Sequence, residues 1–295
     1  MRMNKMTGTG VALVTPLDKK LNVDFQGLKK LLQHIAHSKV HYLVVHGTTG
    51  EAATTTPEEK SAILSFVQMH NVNNLPVVYG IGGNNTQEVI DTIKNTHLDG
   101  VDAVLSASPC YNKPSQEGLY QHYQAIAEAC PVPILLYNIP ARTGTNMTSA
   151  TTLRLSKHPN IIGIKEASGD LLQCMEIAQG KDNDFVIISG EDILTLPMIA
   201  IGAVGVISTI ANAFPETMNR MVDAALAGNN VAARRHTWAL LPIAKLIGLA
   251  GNPVGTKQLL AVLGICQNYV RLPLVTAPSS LVQEIKTITQ QQNIE

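Results

Sequence analysis

The sequence predicts an α/β fold of the (β/α)8 TIM barrel type with a C-terminal helical extension. Three observations predict it. Eight short apolar runs recur along the chain, and a helical segment follows each of them. The runs are apolar throughout, as expected of parallel strands covered on both faces. The length of 295 residues suits one such barrel, here residues 1–228, and leaves residues 229–295 for the extension.

The elements follow in order. The first run is Gly10-Val11-Ala12-Leu13-Val14, and Phe25, Leu28, Leu31, Leu32 and Ile35 then form one helical stripe. The second is Tyr42-Leu43-Val44-Val45-His46. Its helix opens at Thr56-Pro57-Glu58-Glu59, where Thr56 caps, proline suits the first helical position and Glu59 completes a capping box. Pro76-Val77-Val78-Tyr79-Gly80 leads to a helix from Thr86, and Ala103–Ala107 leads to one from Ser115. Pro133–Tyr137 leads to a helix from Thr148, and Ile161–Lys165 to one from Asp170. Phe185–Ser189 precedes a short helix from Ile193, and Gly205–Thr209 precedes one from Pro215. The extension reads as helices over Val231–Leu249, Pro253–Gly264 and Ser279–Gln291, broken at Gly251-Asn252-Pro253 and Leu272-Pro273.

Composition narrows the function classes. Charged residues make up only 15% of the chain and the net charge is zero, so there is no basic footprint for nucleic acid or an anionic membrane. Gly, Pro or charge interrupts every apolar stretch well short of a membrane span. The start, Met1-Arg2-Met3-Asn4-Lys5, is followed by an apolar segment too short for a signal-peptide core, so a cytoplasmic protein is expected. Cys110, Cys130, Cys174 and Cys266 form no C-x-x-C, and the nine histidines form no H-x-H or H-E-x-x-H. Free thiols and no metal are expected. Gly80-Ile81-Gly82-Gly83 follows a strand as a dinucleotide fingerprint does, but Asn85 stands at the third glycine position and eight units do not make a Rossmann half.

In a parallel barrel the chemistry sits at the C-terminal strand ends. Gly47-Thr48-Thr49-Gly50-Glu51 follows the second strand, and Pro109-Cys110-Tyr111-Asn112-Lys113-Pro114 the fourth. Tyr137-Asn138-Ile139-Pro140-Ala141-Arg142-Thr143-Gly144 ends the fifth, Lys165 ends the sixth and Gly190-Glu191-Asp192 follows the seventh. A lysine in a β-branched run is costly to bury, because leaving water disfavours the ammonium. It is either a strand-end lysine that reaches solvent or pairs with Glu166, or a desolvated amine poised to attack a carbonyl. Alternation supports the second: if Ile162 and Ile164 face the helices, Lys165 faces the interior and Gly163 leaves room for its stem. Thr48 and Thr49 suit a small carboxylate, Arg142 suits a second one, and Tyr137 suits proton transfer beside the amine. Taken singly, each also reads as an ordinary turn, loop or packing residue.

The second-, fifth- and sixth-strand motifs, in this order, resemble the dihydrodipicolinate synthase family from Gly8 to the Arg271-Leu272-Pro273-Leu274 segment. The resemblance implies condensation of pyruvate with L-aspartate 4-semialdehyde to 4-hydroxy-tetrahydrodipicolinate, in lysine and diaminopimelate biosynthesis. It implies a covalent imine between Lys165 and pyruvate in place of a cofactor. Tyr137, Thr48 and Tyr111 match the proton relay, with Tyr111 reaching in from a neighbouring subunit of a homotetramer, a dimer of dimers. Thr49, Ile207 and Gly190 match the pyruvate site, and Arg142 the arginine that receives the semialdehyde carboxylate. N-acetylneuraminate lyase and sugar-acid aldolases share the superfamily, and Arg142 favours the synthase. A nicotinamide oxidoreductase and a catalytically silent binding protein are the readings of other classes.

One departure concerns regulation. Lysine-inhibited members of the family carry histidines at the positions of Pro57 and Lys60 and a tyrosine at Cys110, while Asn84 and Glu88 match the effector site. Weak or absent lysine feedback is expected.

Overall fold

The computed structural model describes residues 3–291. Eight parallel strands close into a barrel: β1 (Gly8–Ala12), β2 (Tyr42–Val45), β3 (Val77–Gly80), β4 (Ala103–Ala107), β5 (Ile134–Asn138), β6 (Ile161–Glu166), β7 (Val186–Ser189) and β8 (Gly205–Ser208). Each pairs with its sequence neighbours, and β8 returns to β1 with Gly10 opposite Ile207. Helices alternate with them: α1 (Phe25–Ala36), α2 (Pro57–His70), α3 (Thr86–Asn95), α4 (Gln116–Ala129), α5 (Pro140–Thr143), α6 (Ser149–Leu155), α7 (Leu171–Gly180), α8 (Thr195–Ala200) and α9 (Pro215–Leu226). The extension adds α10 (Asn230–Ala250), α11 (Val254–Val262) and α12 (Ser279–Gln291). The division expected after residue 228 falls in the turn between α9 and α10. The outer ends of the two segments, residues 1–2 and 292–295, lie outside the described residues.

The helices begin where the sequence supplies an acceptor for their unpaired N–H groups. Asp24, Asn85, Ser115, Thr148 and Asp170 each accept a backbone N–H at the start of α1, α3, α4, α6 and α7. Thr56 and Glu59 form the expected capping box before α2. Each such cap contributes about 1 kcal/mol. The strands bury two faces. One apolar cluster, including Leu43, Val104, Leu136, Ile164 and Ile187, packs outward against the helices. A second, including Val44, Leu105, Leu135, Ile188 and Ile207, fills the barrel interior.

Three local details differ from the sequence reading. β1 begins at Gly8, two residues early, because Gly8 and Thr9 pair with Gly205 and Val206 despite their low apolar content. The loop after β5 folds into the short α5, with Pro140 at its first position and Gly144 in the left-handed conformation (φ 70°) at its end. In β6 the register shifts, so that Ile134 pairs with Ile161 but Leu135 with Gly163. That bulge places Ile162 in the interior cluster, although Ile164 faces the helices as alternation requires.

Candidate active site

Lys165 and Tyr137 are paired residues of adjacent strands at the barrel mouth. Lys165 is 6% exposed, and its Nζ lies 4.4 Å from the centroid of the Tyr137 ring. At that range the electron-rich ring face attracts an ammonium, so the amine is held over it. Gly163 lies two residues before Lys165 in the same strand. A Cβ there would collide with the side chain and backbone of Val186, so glycine is required by the close approach of β7.

Glu166, next in the strand, points the other way into a nest of donors. Its carboxylate accepts Asn138 Nδ2 at 3.0 Å and 3.2 Å, the Ser168 N–H at 2.7 Å and Gln173 Nε2 at 3.1 Å. Burial pushes its carboxyl above the usual range, and the hydrogen bonds pull it back. Asn138 also accepts the Met147 N–H at 3.0 Å. The ends of β5 and β6 and the loop carrying Arg142 are thereby tied together behind the site.

The loop after β2 forms one 3-10 turn over Thr48–Gly50. Gly50 N–H donates to Gly47 O at 3.0 Å, and Thr15 Oγ1 donates to Gly50 O at 2.7 Å. Thr49 is buried and Thr48 half-buried. Ile207 is buried on the inner face of β8. Gly190 follows β7 and donates its N–H to Glu166 O at 2.7 Å. A Cβ on Gly190 would stand 2.5 Å from Ala167 Cβ, so the backbone there approaches as only glycine allows. Arg142 is exposed on α5 and donates from Nη2 to Asn252 O at 3.0 Å. Asn252 Nδ2 in turn donates to Thr49 Oγ1 at 2.9 Å. The sequence marked Asn252 only as a helix break, and no local pattern signals its place beside Thr49 and Arg142.

Two acidic residues beside the mouth, Glu191 and Asp192, are half-buried. Asp192 Oδ2 accepts the N–H groups of Thr209 and Ile210 at 3.2 Å and 3.1 Å. Desolvation pushes both Glu191 and Asp192 above the usual carboxylate range, while the Lys165 charge acts in the opposite direction. Tyr111, by contrast, is 90% exposed, at a left-handed φ of 68°, in the loop after β4.

The effector positions are distributed over three elements. Asn84 Oδ1 accepts the Cys110 N–H at 2.9 Å and stands 3.2 Å from Cys110 Sγ. Pro57 and Lys60 lie in the first turn of α2, and Glu88 in the first turn of α3. Desolvation lowers the Lys60 ammonium below its ordinary range. Among the described residues, no group of three or more His, Cys, Asp or Glu is placed to hold a metal ion, and no helix is long and apolar enough to cross a membrane.

A closed parallel barrel with polar side chains gathered at the C-terminal ends of its strands is the architecture of a barrel enzyme. Comparison with known proteins gives the particular family. The profile of the Dihydrodipicolinate synthetase family matches residues 5–292. A 4-hydroxy-tetrahydrodipicolinate synthase of Cytophaga hutchinsonii is 48% identical over 96% of this chain and 96% of its own length. A chloride-inhibited dihydrodipicolinate synthase of Acinetobacter baumannii, complexed with pyruvate, superposes with a TM-score of 0.95 at 33% identity, covering 98% of this chain and 100% of that one. The enzyme of Cyanidioschyzon merolae with lysine bound gives 0.94 at 34% identity, covering 99% of each chain. The chain belongs to the dihydrodipicolinate synthetase family and is an enzyme with the synthase role in lysine biosynthesis.

Proposed function

We propose that the protein condenses pyruvate with L-aspartate 4-semialdehyde to 4-hydroxy-tetrahydrodipicolinate through an imine on Lys165. The observation that carries this reading is the buried Lys165 amine over the Tyr137 ring at the mouth of a barrel of this family. The neutral amine attacks the ketone carbon of pyruvate, and loss of water leaves a cationic imine. The imine draws electrons from the neighbouring methyl, which loses a proton to give an enamine. The enamine carbon then forms a C–C bond to the aldehyde of the second substrate, whose oxygen takes up a proton. The amine of that substrate attacks the imine carbon, expels Lys165 and closes the ring.

In this reading Thr49 takes the pyruvate carboxylate, Ile207 and Gly190 line the pyruvate site, and Arg142 takes the semialdehyde carboxylate. Tyr137, Thr48 and a neighbouring subunit's Tyr111 relay protons. No cofactor beyond the covalent imine is called for. A homo-oligomer, a tetramer of two dimers, belongs to this reading, and the exposure of Tyr111 leaves its side chain free to reach a neighbour. The four free cysteines support a cytoplasmic setting.

Borohydride reduction in the presence of pyruvate, followed by peptide mass mapping, tests the mechanism. A reduced pyruvate adduct on Lys165 is expected; its absence sinks the proposal. Turnover of aspartate semialdehyde against N-acetylneuraminate separates the synthase from the sugar-acid lyases, which would give the same adduct.

A further inference from the structure

The extension reaches the barrel mouth at Asn252. Its Nδ2 donates to buried Thr49 Oγ1, and its backbone oxygen accepts from exposed Arg142, so one residue bridges the floor and the rim. The segment that carries it is anchored to the same loop. Lys257 is fully buried, pairs with Glu51 and donates from Nζ to Tyr269 O at 2.7 Å. Arg271 donates its N–H to Glu51 Oε2 at 3.3 Å, and from Nη1 to Thr54 O at 2.6 Å. Glu51 and Thr54 lie in the same loop, a few residues after Thr48 and Thr49.

The polarity of the Asn252–Thr49 contact matters. A hydroxyl has one proton to donate and two lone pairs to accept with. Because Asn252 donates to Thr49 Oγ1, the Thr49 proton stays available for an anion. The remaining Oδ1 of Asn252 is buried without a hydrogen-bond partner. Leaving such an acceptor unpaired costs about 1–3 kcal/mol, so asparagine is not explained here by stability alone.

We propose that Asn252 is a positioning residue: it directs the Thr49 hydroxyl proton toward the pyruvate carboxylate and fixes the spacing between that carboxylate and the Arg142 guanidinium. The inference rests on the functional reading above and assigns the extension a part in binding both substrates. Asn252→Asp is the discriminating variant. It keeps the size of the side chain, but a carboxylate accepts the Thr49 proton and repels the substrate anions. A residue kept only for packing tolerates aspartate better than alanine, whereas this arrangement reverses that order.

Steady-state kinetics on both variants decide the matter. Asn252→Ala is expected to raise KM for pyruvate by about fivefold, the loss of an ordinary hydrogen bond, and to leave KM for the semialdehyde within twofold, because Arg142 is bonded to the backbone oxygen that alanine keeps. Asn252→Asp is expected to raise both by at least about tenfold more, as a charged group in place of a neutral one does. Melting temperatures within about 5 °C of wild type are expected for both. A KM for pyruvate within twofold of wild type in either variant, or a milder effect of aspartate than of alanine, overturns the proposal. Should alanine not fold, the isosteric aspartate variant decides by its KM alone. A wild-type enzyme without a Lys165 adduct defeats the functional reading; a wild-type adduct with unchanged KM in the variants defeats this inference only.

Discussion

Glu166 shows at the residue scale how a buried charge can be kept next to a reactive strand. Its burial raises the folded-state pKa of the carboxyl. For an acid, that sign means a stability cost at pH values above the unfolded pKa, relieved as acidification protonates the group. Yet the hydrogen-bond partners of the carboxylate are donors: Asn138, Ser168 and Gln173. Glu166→Gln removes the charge but turns an NH2 group against those donors. It is expected to destabilise the protein by about 1–3 kcal/mol. Urea unfolding measures this, and a glutamine variant as stable as wild type would show that desolvation outweighs the lost acceptor. The inward lysine and outward glutamate follow from strand alternation alone. The bulge at Ile162 does not, because it arises where β5 and β6 pair out of step.

At the scale of elements, the helices after β2 and β3 present their first turns to the effector positions. Lys60 stands in the first turn of α2, half-buried, and burial lowers its pKa. Glu88 and the Asn84–Cys110 contact are on the other side of that group in sequence, at the start of α3 and after β4. The ammonium of a bound lysine would meet Lys60 as a like charge, which costs more in a partly desolvated setting than in water. Weak or absent feedback is therefore proposed. Initial rates measured with sub-millimolar lysine are expected to match those without it, and strong inhibition would refute the charge argument. Pro57, where the lysine-inhibited members have histidine, offers only its ring at the first helical position.

At the scale of the whole molecule, one barrel holds Lys165, Tyr137, Thr49 and Arg142 about a common mouth, while its Tyr111 stands in solvent. If Tyr111 serves the neighbour's site, two inactive variants can complement each other. Lys165→Ala lacks the nucleophile and Tyr111→Phe lacks the relay hydroxyl. A mixed dimer of the two has one site missing both groups and one site complete. After unfolding and co-refolding at equal amounts, half of the dimers are mixed, and about a quarter of wild-type activity is expected. Activity no higher than the mean of the two variants refolded alone would place Tyr111 outside the relay.

Most of this architecture was legible in the chain because its signals are local. Apolar runs set the strands, Thr56, Ser115, Thr148 and Asp170 set helix starts, and the strand-end rule gathered Thr48, Thr49, Arg142 and Lys165 on one face. These features depend on neighbours a few residues apart, and a period or a cap records them. Asn252 carries no such record, since its partners lie 203 and 110 residues away. The same holds for Lys257 against Glu51 and for Gly163 beneath Val186. Only closure of the barrel and docking of the extension bring these atoms together. The sequence by itself determined the barrel, the direction of the Lys165 side chain and the polar rim. The tertiary structure decided which residues hold that rim in place, because those contacts are made between segments that no local pattern relates.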